Sequence, residues 1–482
     1  MQSLRRYAPL GMRARFIAVA GLTSFLVAAT IFAQTTPAAD DPMLQPLPDY
    51  TLPAPGQPLP GSEEQIEQLL AYAANHAPAM TTQAELIDQS DASRFRSWIR
   101  HMPILTASYS VGLYYAATGA NSGGSATPGG SLTLQASQPI WHWGGFDAQT
   151  DLGILNEQIA QNEGVLNYAK LCLDVRKRYL ALVVLKAQAA TYAREAESAQ
   201  RALDKQNLLL TLGRATQKDA HNAELDLNKV KLNADKAATD LKNQLNEFHR
   251  VTGSANFGES DLPDHIYLPV AENTTRQAEL DAAEKNGPAT SPLSRDAALQ
   301  DEALQKQLIM NQASRKPQFD LTASVSQSPY VNASNSGLKF ATIFFVGVSG
   351  SWVLADRGES VAEDEKLNSQ RRMVESQYAD TRAQTMNDAT NCLNQIDLGL
   401  RACVTLKALY AQEQENYRQA QTMMGLGRGD PTDLDSARDA LLDTRLELLT
   451  READIAGNYY SFLSDIYLDP ALAHPPAATQ PK

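Results

Sequence analysis

The chain has 482 residues and a formal net charge of -13, length enough for roughly two to four ordinary domains. So acidic a chain lacks the basic footprint that nucleic acid requires, which excludes that class of partner. Its three cysteines, Cys172, Cys392 and Cys403, fit neither a disulfide framework nor a thiolate metal site, and read as small apolar residues in helix seams.

The chain opens with Arg5, Arg6, Arg13 and Arg15 ahead of an apolar run from Phe16 to Ala33, the grammar of a signal peptide at 1–33. Ala29, Ala33 and Ala39 are all open as its end. The alternative, a retained anchor, is weakened because the run is short and uneven for a span of about 20 residues. Residues 34–61 carry eight prolines and read as an extended linker. The Pro/Ala-rich end, 469–482, reads as a disordered tail.

Between these ends the chain matches itself at one ungapped offset of 214 residues. Pro78 falls on Pro292, Pro103 on Pro317 and Gly144 on Gly358. Leu212-Gly213-Arg214 falls on Leu426-Gly427-Arg428, Asp219 on Asp433 and Ala223 on Ala437. Such a series at one offset marks two copies of one unit, 62–260 and 275–468, joined by a linker at 261–274.

Each unit begins with a helical segment that stops before Pro103 or Pro317, since proline disfavours helix in the residue ahead of it. A strand follows at once. Leu105, Ala107, Tyr109, Val111 and Leu113 alternate with Thr106, Ser108, Ser110 and Gly112, and Phe319, Leu321, Ala323 and Val325 alternate with Asp320, Thr322, Ser324 and Ser326. Breaker-rich loops at 118–130 and 328–337 lead into returning strands, which predicts β-hairpins at 104–138 and 318–352. Ile343 and Phe345 blur the alternation of the last strand. An apolar face opposed to a small polar face suits a barrel with lipid outside and water inside. Tyr114, Tyr115 and Tyr330 near one end, and Trp141, Trp143 and Trp352 near the other, form candidate membrane-interface belts; packing at the strand–helix elbow is the competing reading for the tryptophans.

The rest of each unit is helical. No proline interrupts 140–262 or 330–430, and seams such as Tyr168, Cys172, Val175, Tyr179 and Leu182 step by four and three. A second seam runs through Ala223, Leu227, Val230, Ala234, Ala237 and Leu241. A helix from about Asp147 to Thr211 would be roughly 100 Å long. Leu-Gly-Arg ends each run, placing hairpin tips near 213 and 427. The sequence class is therefore a membrane α+β protein, a duplicated unit of transmembrane β-hairpin and long coiled-coil hairpin. Four strands cannot close a barrel alone; three chains supply twelve.

No G-x-S-x-G, H-E-x-x-H or P-loop occurs, and the seven histidines are scattered, so neither enzyme activity nor a cofactor or metal is expected. Met423-Met424 is too small a cluster for soft-metal handling, and Arg428-Gly429-Asp430 reads as a turn rather than an attachment motif.

Together, Asn75-His76-Ala77-Pro78, the strand exit Gln138 to Gly144, and the repeated Leu-Gly-Arg with Asp219 or Asp433 resemble the TolC family of outer-membrane efflux proteins over nearly the whole mature length. The resemblance implies a homotrimer with a 12-stranded barrel in outer-membrane lipid and a 12-helix periplasmic tunnel. It also implies a periplasmic adaptor and an inner-membrane pump of the RND or ABC type. The function implied is the exit duct of a tripartite efflux or type I secretion system. A periplasmic coiled-coil scaffold or adaptor is the alternative, against which the duplicated lipid-facing strand pattern counts. By the resemblance, Asp433 matches a gate aspartate at the second tip. A further family aspartate is Ser436 here, with Asp435 a near neighbour, so Asp433 and Asp435 are the candidate gate residues. The competing role for Asp433 is to favour the start of the returning helix, and Asp430 before Pro431 reads as an N-cap. Gly213, Arg214, Gly427 and Arg428 are the candidate adaptor-docking tips, with simple turn formation as the alternative.

Overall fold

The structure, a computed structural model, describes residues 61–115, 126–266, 268, 273–331 and 338–473. The signal peptide, nearly all of the Pro-rich linker, residues 116–125 and 332–337 between the strands, and residues 474–482 lie outside these. Everything described belongs to one unit, Pro42–Lys482.

Helices α1 (Gly61–His76) and α2 (Pro78–Trp98) break at Ala77, whose extended ψ of 133° suits a residue followed by proline at the first helical position. A short 3-10 turn leads to β1 (Ile104–Tyr115), which pairs with β2 (Ala126–Trp141). Then come α3 (Gly145–Thr211) and α4 (Gln217–Thr252). The second series is α5 (Asn273–Thr290), α6 (Pro292–Ser314), β3 (Gln318–Val331), β4 (Leu338–Ser351), α7 (Glu359–Gly425) and α8 (Pro431–Asp465). Starts of α2 and α6, α3 and α7, and α4 and α8 each lie 214 residues apart. All eight positive-φ residues among those described form four pairs at the same offset: Trp143 with Arg357, Gly144 with Gly358, Gly213 with Gly427, and Gly253 with Tyr467.

The four strands make one antiparallel sheet in the order β1-β2-β3-β4. Three prolines sit inside it: Pro128, Pro139 and Pro329. Proline cannot donate to a ladder, so each needs a place where its strand has one neighbour. Pro128 pairs only with β1, Pro139 only with β3 at a bulge, and Pro329 only with β4. These places let the strands run further than the loop and turn residues suggest. β2 starts at Ala126, inside the expected glycine-rich loop, and runs past 138 to Trp141, while β3 continues through Pro329 to Val331.

After β2 the chain enters α3 through two successive left-handed residues, Trp143 (φ 54°) and Gly144 (φ 77°); Arg357 (φ 59°) and Gly358 (φ 86°) repeat this before α7. Asp356 accepts hydrogen bonds from the Gly358 and Ser360 amides; the Ser360 hydroxyl first, and then these amides, hold its carboxyl down at about 2. The residue 214 positions earlier, His142, instead bonds Asp320 of β3 at 2.8 Å.

Helices α3 and α7 have 67 residues each, but α4 and α8 have only 36 and 35. The return thus covers half the length expected of a simple hairpin. Along its upper half α3 packs between α2 and α6, and α6 packs on α7; along its lower half α3 packs between α4 and α8, and α8 packs on α7. Gly253 ends α4 against the α1–α2 break: a Cβ there would lie 2.5 Å from the His76 carbonyl oxygen.

The α3 seam expected from spacing is the core, with Tyr168, Cys172, Val175, Tyr179 and Leu182 all buried. Leu227, Ala237 and Leu241 of the α4 seam are buried too. Cys172 is buried in this core, while Cys403 is buried in a second cluster with Cys392 packed against it; loss of solvation pushes the Cys172 thiol up to about 12 and the other two to about 11. The segment read as a linker at 261–274 contributes Leu262 and Ile266 to the core. Residues 469–473 of the expected tail belong to the fold, because Asp469 is buried in an ion pair with Arg176 of α3 and 470–473 form a 3-10 turn; the rest of that tail lies outside the described residues. Arg176 also lies under the Tyr460 ring, 4.7 Å from its centroid.

Candidate functional site

Both helix tips close by the same hydrogen bonds. The Gly213 amide donates to Leu210 O and the Arg214 amide to Leu209 O; Gly427 and Arg428 repeat this on Met424 and Met423. This is the Schellman arrangement, whose left-handed residue is glycine in both copies, with φ of 69° and 68°. Gly213 and Gly427 therefore have a sufficient structural reason to be glycine. Arg214 and Arg428 point outward, and Leu212 and Leu426 beside them are 60% and 66% exposed.

The returning helices are capped differently. Thr216 and Asp219 form a reciprocal capping box on α4. On α8, Asp430 is the N-cap and accepts from the Thr432 amide, as expected. It also takes Lys205 Nζ at 2.8 Å, and that bond is the largest cause holding its carboxyl down at about 2.

The two gate candidates have different surroundings. Asp433 is exposed in the first turn of α8, and its carboxylate makes no ion pair or hydrogen bond among the described residues. Asp435 is 19% exposed and held side-on by Arg201 of α3, at 2.7 and 2.9 Å. Only Asp433 thus keeps an unpaired negative charge at the tip.

Asp435 belongs to a ladder that sequence reading missed. On α3, Arg194, Ser198, Arg201 and Lys205 step by four and three down one face. Opposite them on α8, Arg438 meets Arg194 O and Ser198, Asp439 meets Ser198, Asp435 meets Arg201, and Asp430 meets Lys205. Just above lies a carboxyl pair, Glu195 and Asp443. Burial, together with Asp443 and Asp439, pushes Glu195 up to about 7. Higher still, the same interface is apolar, with Leu449, Ala456 and Tyr460 against α3. The heptad spacing of four polar α3 residues was the available signal, but spacing does not reveal which helix supplies the partners.

In the sheet, register separates two faces. One carries Leu105, Tyr109, Val111, Leu113, Leu132, Leu134, Leu321, Val325, Phe344, Val346 and Val348; the other carries mainly Ser, Thr, Gly and Gln. Ser110 and Ser131 share a hydrogen bond on that polar face, as do Thr322 and Ser349. No strand residue joins a hydrophobic core cluster of the described residues.

Trp141, Trp143 and Trp352 are exposed where the strands meet the helices. Two of them also anchor the elbow: Trp143 Nε1 donates to Pro317 O at 2.6 Å and Trp352 Nε1 to Arg315 O at 3.0 Å. Each thus shows a polar handle inside and an apolar body outside, the amphipathic use of tryptophan at an interface. The side chains of Tyr114, Tyr115 and Tyr330 lie outside the described residues.

The four lower helices share a pocket of about 950 Å³, lined among others by Lys177, Asp240, Asn243, Gln395, Arg451 and Asp454. Its mixed charges hold no group of three or more His, Cys, Asp or Glu side chains placed for a metal, and none occurs among the described residues. No helix among them is long and apolar enough to cross a membrane.

Residues 69–254 match the family model described as outer membrane efflux protein. No curated protein matches the chain in sequence. Among solved structures, the chain is similar to the Campylobacter jejuni CmeC outer membrane channel, with 13% identity, a TM-score of 0.64, and 84% and 85% of the two chains covered. It is also similar to the Vibrio cholerae outer membrane protein VceC (14%, 0.60, 84% and 96%) and to the open state of the Neisseria gonorrhoeae MtrE outer membrane channel (15%, 0.58, 83% and 88%). Residues 69–254 thus resemble the outer membrane efflux proteins in sequence, and the chain as a whole shares the fold of the outer-membrane channels.

Proposed function

We propose that three copies of this duplicated chain close into the exit duct of a tripartite efflux or type I secretion system. A 12-stranded barrel stands in outer-membrane lipid and continues as a 12-helix periplasmic tunnel. The observation that carries this is the order of elements in every tier. The sheet ends on β1 and β4, the upper helices on α2 and α7, and the lower helices on α4 and α7. Each tier therefore offers one free edge from the first unit and one from the second, on corresponding sides. Copies joined edge to edge satisfy all tiers at once, and a closed sheet leaves no unpaired strand. The apolar strand face then meets lipid and the hydroxyl-rich face meets water. The pocket with Lys177, Asp240 and Arg451 then faces the tunnel, so cargo passes a wall of mixed charge. Heat-modifiable trimers in the outer-membrane fraction are the expected result; recovery of the chain as a soluble periplasmic monomer would overturn the reading.

At the far end, Asp433 from three chains makes an anionic ring that attracts cations, with Asp435 and its ladder holding α8 against α3. Asp433→Ala is expected to remove block by multivalent cations in planar bilayers; unchanged block sinks the gate assignment. Leu212, Arg214, Leu426 and Arg428, with Gly213 and Gly427 shaping the turns, form the docking surface for a periplasmic adaptor that links the duct to an inner-membrane pump of the RND or ABC type. Charge reversal at Arg214 and Arg428 is expected to weaken adaptor cross-linking. Transport is passive here, and no residue is assigned a catalytic role.

A further inference from the structure

The β4 strand breaks the separation of faces at two points. Ile343 and Phe345 stand on the hydroxyl-rich side, 56% and 46% exposed. Register sets their surroundings level by level. Phe345 lies opposite Ser324, which continues across the sheet to Gln135 and Thr106. Ile343 lies opposite Ser326, then Thr133 and Ser108. Each level thus holds one large apolar side chain among three small or polar ones. The side chains next to these two along β4, Phe344 and Val346, belong to the opposite, apolar face, so a one-residue slip does not explain the pattern.

The Phe345 ring has a specific seat. A Cβ built on Gly347 would meet Phe345 Cζ at 3.0 Å and Cε2 at 3.4 Å. The ring therefore lies along its own strand over the bare backbone of Gly347, flat against the wall. Only glycine leaves that space free.

Resting on the trimeric barrel reading, we propose that Phe345, with Ile343 beside it, forms an apolar aromatic band of three sites inside the barrel lumen, which binds aromatic organic cations in transit. The chemistry follows from the band and its setting. A ring face exposed in a water-filled lumen attracts a cation by its quadrupole, and the other aromatic residues in that register, Tyr114 and Tyr330, stand only near the loop ends of β1 and β3. The hydroxyls around it bind no aromatic group, and Gly347 sets how far the ring reaches into the passage.

The test uses full-length trimers in planar bilayers and tetraphenylphosphonium as the probe, added from the barrel side. Wild-type current is expected to be blocked, and Phe345→Ser to raise the half-blocking concentration about tenfold, equivalent to ~1.4 kcal/mol. Phe344→Leu, on the lipid side, is expected to leave block unchanged. Gly347→Val, which displaces the ring from its seat, is expected to lower unitary conductance or strengthen block. Equal block in wild type and Phe345→Ser overturns the band. The barrel reading is checked separately by single-cysteine variants and a charged, water-borne maleimide. Labelling at Phe345→Cys but not Phe344→Cys supports the assigned faces; the reverse overturns the barrel orientation itself.

Discussion

The buried pair of Arg176 and Asp469 ties the last described segment to α3, and its removal has a calculable cost. The two side chains are 5% and 1% exposed, so neither charge is shared with water. Asp469→Ala leaves the Arg176 guanidinium enclosed against the Tyr460 face with no counter-charge in that pair. Removing one partner of a buried pair costs about 3–5 kcal/mol, because the remaining charge is uncompensated. The segment released is short, Ile466 to Leu472, so the loss appears first as local opening. Amide exchange there should accelerate by roughly two to four powers of ten, at 1.36 kcal/mol per decade. The peptide around Cys172 and Val175 should follow more weakly. Adding Arg176→Met to Asp469→Ala is expected to restore most of the protection, since an apolar side chain of similar length leaves no charge to solvate. Exchange unchanged in Asp469→Ala would refute the reasoning, and so would a double variant no better than the single.

Three further predictions concern the helices. Glu452 is buried on α8 and pushed up to about 7, burial outweighing Lys407 at 3.9 Å. Its folded value exceeds the unfolded carboxylate value, so its contribution is complete below about pH 4.5 and is lost as pH rises through about 7. Glu452→Gln should flatten the fall in helical stability between pH 5 and 8 by up to ~3 kcal/mol, measured by urea unfolding; an identical slope counts against it. A Cβ at Gly399 of α7 would lie 2.6 Å from Ile455 Cγ1, so Gly399→Ala should cost about 1–3 kcal/mol, and adding Ile455→Ala should cost less than the two single changes summed. Arg201→Ala with Lys205→Ala removes two half-exposed ion pairs worth about 0.2–1 kcal/mol each. Closed-state conductance should then rise by up to roughly tenfold in bilayers; no change would leave the α3–α8 ladder without a role in closure.

What could be read from the sequence is what depends on one element at a time. Strand faces follow from period two, and the α3 seam from steps of four and three, because burial acts on each residue through its own neighbours. The 214-residue offset located both tips and both elbows. The short return helices were not legible. Nothing in α4 forbids continuation past Thr252, and its end is set by the approach of Gly253 to His76, from a helix far earlier in the chain. Asp469 was read as tail for the same reason. Its partner lies 293 residues away, and the Pro/Ala composition around it dominates any local reading. The ladder was hidden because charged residues on a helix usually face water, and only the packing of α8 on α3 shows that these do not. At the tip, sequence named Asp433 and Asp435 together, whereas the fold separates them into one unpaired and one bridged carboxylate.

The sheet has a consequence for how the molecule is made. Every hydrophobic cluster of the described residues lies among the helices and their connections, while the four strands have two bare edges and no cover on either face. A lone two- to four-stranded sheet in that condition has nothing to offset the entropy of ordering it. The helical part can form within one molecule, but the strands have to wait for neighbours and lipid. In the trimer proposed above, assembly is then a third-order event in chain concentration laid upon a first-order one. The helices act as a preformed clamp that raises the local concentration of strand edges at the membrane and keeps them from pairing with the wrong partner before they arrive.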